Sequence, residues 1–132
     1  MGIYVFDFSI PPSTTSKKEN LEVEGEVLSK LYILIPSGHN ALAGMRIMYG
    51  EQQLLPSVHD TYFKGNNVVY NFEPLLPLPS SPCVLTYEGY NNDPDNQHTF
   101  YTVIETRSEE EAKPLGVLQD FIEILKKVMR IR

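Results

Sequence analysis

The sequence predicts an all-β fold, an antiparallel β-sandwich of jelly-roll-like form, followed by an amphipathic C-terminal α-helix. Three observations predict it. Short runs rich in β-branched and aromatic residues recur along the chain, several alternating apolar with polar positions. Turn residues, not helices, separate these runs. The stretch 108–132 then switches to helical spacing of its apolar residues.

IYVFDFSI (3–10) reads as the first strand. Tyr4, Phe6, Phe8 and Ile10 share one face, and Ile3, Val5, Asp7 and Ser9 the other. Pro11 and Pro12 end it. PSTTSKKEN (12–20) reads as an exposed polar loop. LEVEGEVLSKLYILIP (21–36) reads as a long strand with a bulge or bend at Gly25, ending in LYILI, which is apolar on both faces. PSGHN (36–40) is a turn. ALAGMRIMYG (41–50) alternates Met45, Ile47 and Tyr49 against Arg46 and Met48, and EQQLLP (51–56) continues it. PSVHDTYFKGNN (56–67) is loop with one short strand, and VVYNF (68–72) is a strand. EPLLPLPSSP (73–82) carries four prolines, which exclude a central strand or a helix. CVLTYEGY (83–90) and HTFYTVIETR (98–107) are strands flanking the loop within GYNNDPDNQH.

These elements make one β-sandwich domain over 1–107, an acidic linker over 108–113 and a helix over 114–132. Glu109, Glu110 and Glu111 precede the helix, and Lys126, Lys127, Arg130 and Arg132 close it, which complements a helix dipole. Pro114 suits the first helical position. Leu115, Leu118, Ile122, Leu125 and Met129 form one apolar stripe. Val117, Phe121, Ile124, Val128 and Ile131 widen it past half the circumference. Such a helix must pack on the sandwich, on copies of itself or on another protein. The expected oligomer or partner interface is therefore Leu115, Leu118, Phe121, Ile122, Leu125, Val128 and Met129.

The 132 residues suffice for one domain that buries roughly two-thirds of the unfolded chain's surface. A net charge of -6 argues against a phosphate-backbone partner, so no nucleic acid is expected. No segment approaches the ~18 continuous apolar residues of a membrane span. MGIYVFDF lacks the basic and apolar regions of a signal peptide, so a virion or the host cytoplasm is the expected location. The single Cys83 forms no internal disulfide and is expected to be a small buried hydrophobe.

GYNNDPDNQH (89–98) concentrates Asn91, Asn92, Asp93, Asp95 and His98. An EF-hand count from Asn91 puts Asn96 where glycine belongs and Thr102 where glutamate belongs. The expected reading is a polar hairpin tip, with Asn91, Asn92, Asp93 and Asp95 as a recognition loop; a weak cation site through Asp93 and Asp95 stays open. His39, His59 and His98 lack the close spacing of zinc ligands. There is no nucleophile elbow and no phosphate-cradling glycine loop. No catalytic residues, metal or cofactor are expected. Eight tyrosines and six phenylalanines without tryptophan fit strand packing better than sugar stacking.

The order of parts resembles a known kind of protein. IYVFDFSIPPSTT is followed by LYILIPSGHNALAGMRIMYGEQQLLP, and YEGYNNDPDNQHTFYTVIET closes the domain. In segment order this is similar to small β-sandwich virion structural proteins, the capsid decoration and accessory proteins of tailed viruses, over roughly residues 1–107. The resemblance implies a non-enzymatic structural protein, homo-oligomeric and often trimeric, that contacts capsid protein and stabilises a shell by binding the assembled lattice. The alternative is a binding module, a lectin-like or protein-recognising sandwich.

Overall fold

The computed structural model describes residues 2–110. Its strands are β1 Gly2–Ile10, β2 Thr14–Val23, β3 Val27–Ile35, β4 Ala43–Tyr49, β5 Gln52–Leu55, β6 Phe63–Lys64, β7 Val68–Phe72, β8 Leu76–Pro77, β9 Cys83–Asn91 and β10 His98–Arg107. They form two antiparallel sheets. One runs β1-β10-β3-β7, with β8 beside β3; the other runs β2-β9-β4-β5, with β6 beside β4. Among the described residues there is no helix. The helix expected over 114–132, with its interface residues from Leu115 to Met129, lies outside them.

Alternation sets which face each strand buries. Phe8 and Ile10 of β1, Leu31 and Ile33 of β3, Met45 and Ile47 of β4, Leu85 and Tyr87 of β9, and Phe100 and Ile104 of β10 have no exposed surface. They form one core fed by both sheets, and Cys83 is buried in it with them. Each large side chain removed from water stabilises by about 2 kcal/mol. Tyr87 sits at the centre, edge-on to Phe6 at 4.9 Å and to Phe8 at 5.8 Å. Its hydroxyl lies 2.9 Å from the Thr102 Oγ1. Thr102 Oγ1 in turn donates to the Phe6 carbonyl at 2.9 Å. The threonine has one hydroxyl proton, so the tyrosine must donate to it. Beside this chain Gly89 faces inward, and a Cβ there would stand 2.6 Å from both the Gly44 carbonyl oxygen and Ile10 Cδ1.

Four expectations from the sequence need correction. Residues 14–20 are strand, not loop: β2 pairs with β9 from Thr14↔Asn91 to Val23↔Cys83. Its lysines and glutamates suit an edge strand, where charge blocks further pairing. The long strand over 21–36 is two strands in different sheets. Gly25, at φ +140°, turns the chain between them, and a Cβ there would meet Thr106 at 2.7 Å. EQQLLP does not continue β4; Gly50, at φ +59°, folds it back as β5 against β4. Finally, residues 92–97 are not a hairpin tip. β9 belongs to one sheet and β10 to the other, so the stretch crosses between sheets.

Candidate functional site

That crossing loop is held by a dense set of side-chain hydrogen bonds. Asn and Asp oxygens short of their own backbone capture amides two or three residues on. Asn91 Oδ1 accepts from the Asp93 amide at 2.9 Å. Asp93 Oδ1 accepts from the amides of Asp95 at 2.9 Å and Asn96 at 3.2 Å. Asp93 Oδ2 accepts from Asn96 Nδ2 at 3.2 Å and from His98 Nε2 at 2.8 Å. The Asn91 amide donates to the carbonyls of Ile10, Pro11 and Asn96. Two backbone bonds, Ser13 to Asp93 and Asn92 to Leu42, tie in the β1–β2 and β3–β4 connections.

His39, from the β3–β4 turn, completes the cluster. Its Nε2 lies 3.1 Å from the Thr99 carbonyl, so that nitrogen carries the proton. Its ring lies 4.4 Å from His98 and edge-on to Phe100 at 4.9 Å. His39 Nδ1 is buried with no hydrogen-bond partner. Burial first, then the nearby His98, lowers the His39 pKa, against the opposing bond to Thr99. Asp93 is held at about 2, first by the Asp95 amide and then by His98.

A histidine on a carboxylate is acid–base geometry, but here both groups are only 6% exposed and the carboxylate already accepts four bonds. The arrangement holds three connections together rather than opening onto a substrate. Of the expected recognition residues, Asn92 and Asp95 face solvent, whereas Asn91 and Asp93 turn inward into this network. Beside them Ser13, Thr14, Thr15, Asn91 and Asn92 line an open cleft of about 260 Å³. His59 is elsewhere, exposed and 3.4 Å from Asp60. Among the described residues no three His, Cys, Asp or Glu side chains are placed to hold a metal ion.

The two outer faces differ sharply in chemistry. On β2-β9-β4-β5, Arg46 bonds Glu88 at 2.6 Å, Asp60 at 3.1 Å and Gln53 at 3.0 Å, under the Tyr62 ring. Lys18 reaches Glu88 at 3.6 Å. Gln53 Nε2 reaches the carbonyls of Pro56, Val58 and Thr61, folding that loop onto the sheet.

The outer face of β1-β10-β3-β7 has an apolar centre inside a polar margin that includes Lys30, Asn71 and the Arg107–Glu105 pair. Register places Val5, Val103 and Tyr32 in one row across it, with Asn71 at the β7 end, and Tyr101, Leu34 and Val69 in the next, with Asp7 at the β1 end. Val5 is 71% exposed and Ile3, one step nearer the end of β10, 63%. An apolar patch that runs across four strands marks a contact surface more often than a free one. The sequence held its signal in Ile3 and Val5 opposite the core face of β1 and in the two-sided LYILI. Nothing local could have joined His39 to His98 or Arg46 to Glu88, because each pair is brought together only by the sheets.

No protein-family model matches the chain, and no curated protein matches it. Among solved structures, the crystal structure of PirA is similar at 13% sequence identity with a TM-score of 0.42, covering 76% of this chain and 91% of that chain. At that level the likeness carries no argument about fold or function.

Proposed function

We propose that this is a non-enzymatic structural protein that self-associates and stabilises a larger assembly, of the kind seen in capsid decoration and other accessory virion components. The observation that carries the reading is the apolar centre of the β1-β10-β3-β7 outer face, formed by Val5, Val103, Tyr32, Tyr101, Leu34 and Val69. The connections that cross between the sheets, including β1–β2, β3–β4 and β9–β10, support taking the whole as a jelly-roll-like sandwich. The Asp93 carboxylate, which accepts four local hydrogen bonds, supports a scaffold role, because it is spent on holding loops.

Paired surface substitutions test this by sedimentation velocity. Val5→Lys with Tyr101→Lys shifts the chain toward smaller species, whereas Val84→Lys with Glu22→Lys on the opposite face leaves its size unchanged. Equal behaviour of the two pairs would sink the reading. For the virion role, the protein co-sediments with particles of its source; failure to do so contradicts that role.

The second reading is a binding module. It is favoured by the cleft between the 13–15 and 91–92 stretches, whose polar lining suits a glycan or other polar ligand. Saturable binding on a glycan array, abolished by Asn92→Ala with Thr15→Ala, would put that reading first.

A further inference from the structure

We propose that two copies of this chain join edge to edge through β1, antiparallel about a two-fold axis at Val5, so that the β1-β10-β3-β7 sheet runs on into the same sheet of the second copy. The inference rests on the reading of the chain as self-associating and names the contact by which copies meet.

The first argument is which edge is open. β1, β7, β2 and β5 end the two sheets. An edge strand offers a row of backbone N–H and C=O groups to any strand that comes alongside, and most edges are blunted against this. β2 carries Lys17, Lys18, Glu19 and Glu22, and its register with β9 breaks between Thr14 and Lys17. β5 has four residues and runs into Pro56; β7 has five. β1 has nine residues in unbroken register with β10, and Asp7 is its one charged side chain. Among the described residues no strand lies along its other side.

The second argument is which groups face that side. In an antiparallel strand the N–H and C=O of one residue point the same way, and successive residues alternate. The Phe6 carbonyl accepts from Thr102 Oγ1 of β10 at 2.9 Å, so it faces β10. The Ser9 carbonyl accepts from Lys17 Nζ of β2, in the other sheet, at 2.5 Å, so it faces away from β10. Ile3, Val5 and Asp7 share the side of Ser9. Lys17 closes the far end of the edge, and Ile3, Val5 and Asp7 are the residues left to pair.

The third is self-complementarity. Val5 is the middle of that set. Turned about it, Val5 stands opposite Val5 and Ile3 opposite the partner's Asp7, each pair exchanging both backbone bonds. Tyr4 then stands opposite Phe6 on the core side, so every side chain keeps its face. The outer row Tyr32–Val103–Val5 continues into the same row of the second copy, and Val5 and Ile3, 71% and 63% exposed, are covered along the join. Glu105, the neighbour of Ile3 on β10, is already paired with Arg107 and leaves Asp7 at the margin unopposed by a free acid.

Area sets what the edge can do. Five paired residues span ~17 Å and cover on the order of 200 Å² of each copy. A stable dimer needs ~800 Å² from each partner. The edge therefore fixes how copies are arranged in a multimer that a further contact also holds, and does not hold a pair alone. A closed multimer in which every copy makes this two-fold contact has an even number of copies.

Oxidative cross-linking of the full chain tests this. Cα atoms across a hydrogen-bonded antiparallel pair lie ~5.5 Å apart, a distance that a disulfide spans. Val5→Cys, mildly oxidised, links two copies at residue 5, seen at dimer mass on a denaturing gel. Val69→Cys, at a position 50% exposed on the same face, gives no link, and Cys83 is buried out of the reaction. As a second measurement, Val5→Pro removes an N–H that faces away from β10 and so spares its own sheet. It raises the concentration at which the full chain associates several-fold in sedimentation velocity, and Val5→Thr does not. A multimer with no link at residue 5, equal linking at residue 69, an odd number of copies, or association unchanged in Val5→Pro overturns the edge pairing and leaves the self-associating role standing. A full chain that is monomeric at every concentration overturns both.

Discussion

His98 Nε2 donates to Asp93 Oδ2 across 2.8 Å, joining the first residue of β10 to the loop that brings the chain over from β9. The contact closes the loop that crosses between the sheets. It also sets how the fold responds to acid. The Asp93 carboxyl titrates at about 2 against an ordinary 3.8, so the folded state favours its charged form. Its contribution is present above the ordinary value and is lost as pH falls from about 4 toward 2. Asp93→Asn lowers the melting temperature at pH 7 and flattens the loss of stability over that acid window, as thermal melts from pH 2 to pH 7 would reveal.

His39 acts in the same direction at milder pH. Its pKa is lowered from 6.5, chiefly by burial, so folding favours the neutral ring. The unfolded chain takes up that proton first as pH falls below 6.5, and stability drops with it. His39→Phe keeps the ring against His98 and Phe100 but cannot be protonated. Melts of the two proteins between pH 7 and pH 5 should show a decline in the natural chain that the variant lacks.

Tyr87, Thr102 and Phe6 form a directed chain, hydroxyl to hydroxyl to carbonyl. Burial pushes the Tyr87 phenol up to about 12, so it stays a donor across the usable pH range. Tyr87→Phe removes one donor and costs about 1 kcal/mol. Thr102→Val leaves the Tyr87 hydroxyl buried without an acceptor and costs more, ~2–3 kcal/mol. Urea denaturation ranks the two, and the order matters more than either value.

Much of this architecture was legible because apolar alternation leaves a mark on neighbouring residues. β1, β4, β7, β9 and β10 are all visible that way, including the buried Phe8, Ile47 and Phe100. β2 was not, because Lys17, Lys18 and Glu19 look like a loop until their strand is known to be an edge. The crossing at 92–97 was legible as polar but not as a link between sheets, since hairpin and crossing use the same turn residues. Asn91 and Asp93 looked like contact residues because nothing in sequence distinguishes an outward carboxylate from one that accepts four local donors.

Arg46 offers a contrast between buried and exposed partners. Its side chain and that of Glu88 are 11% and 12% exposed, while Asp60 is 72% exposed. Glu88→Ala strands a largely buried guanidinium and costs about 2 kcal/mol or more. Asp60→Ala changes stability by ~0.5 kcal/mol at most. Equal losses in urea denaturation would show that the loop over 56–62, not the ion pair, is what Arg46 secures.

On the function proposed above, the chain works by assembling with copies of itself. Light scattering on the full chain and on a chain ending at Lys113 tests it most directly. A defined multimer is expected for the full chain and a monomer for the shortened one. A full chain that stays monomeric at every concentration, or a shortened chain that keeps the same multimer, would contradict it.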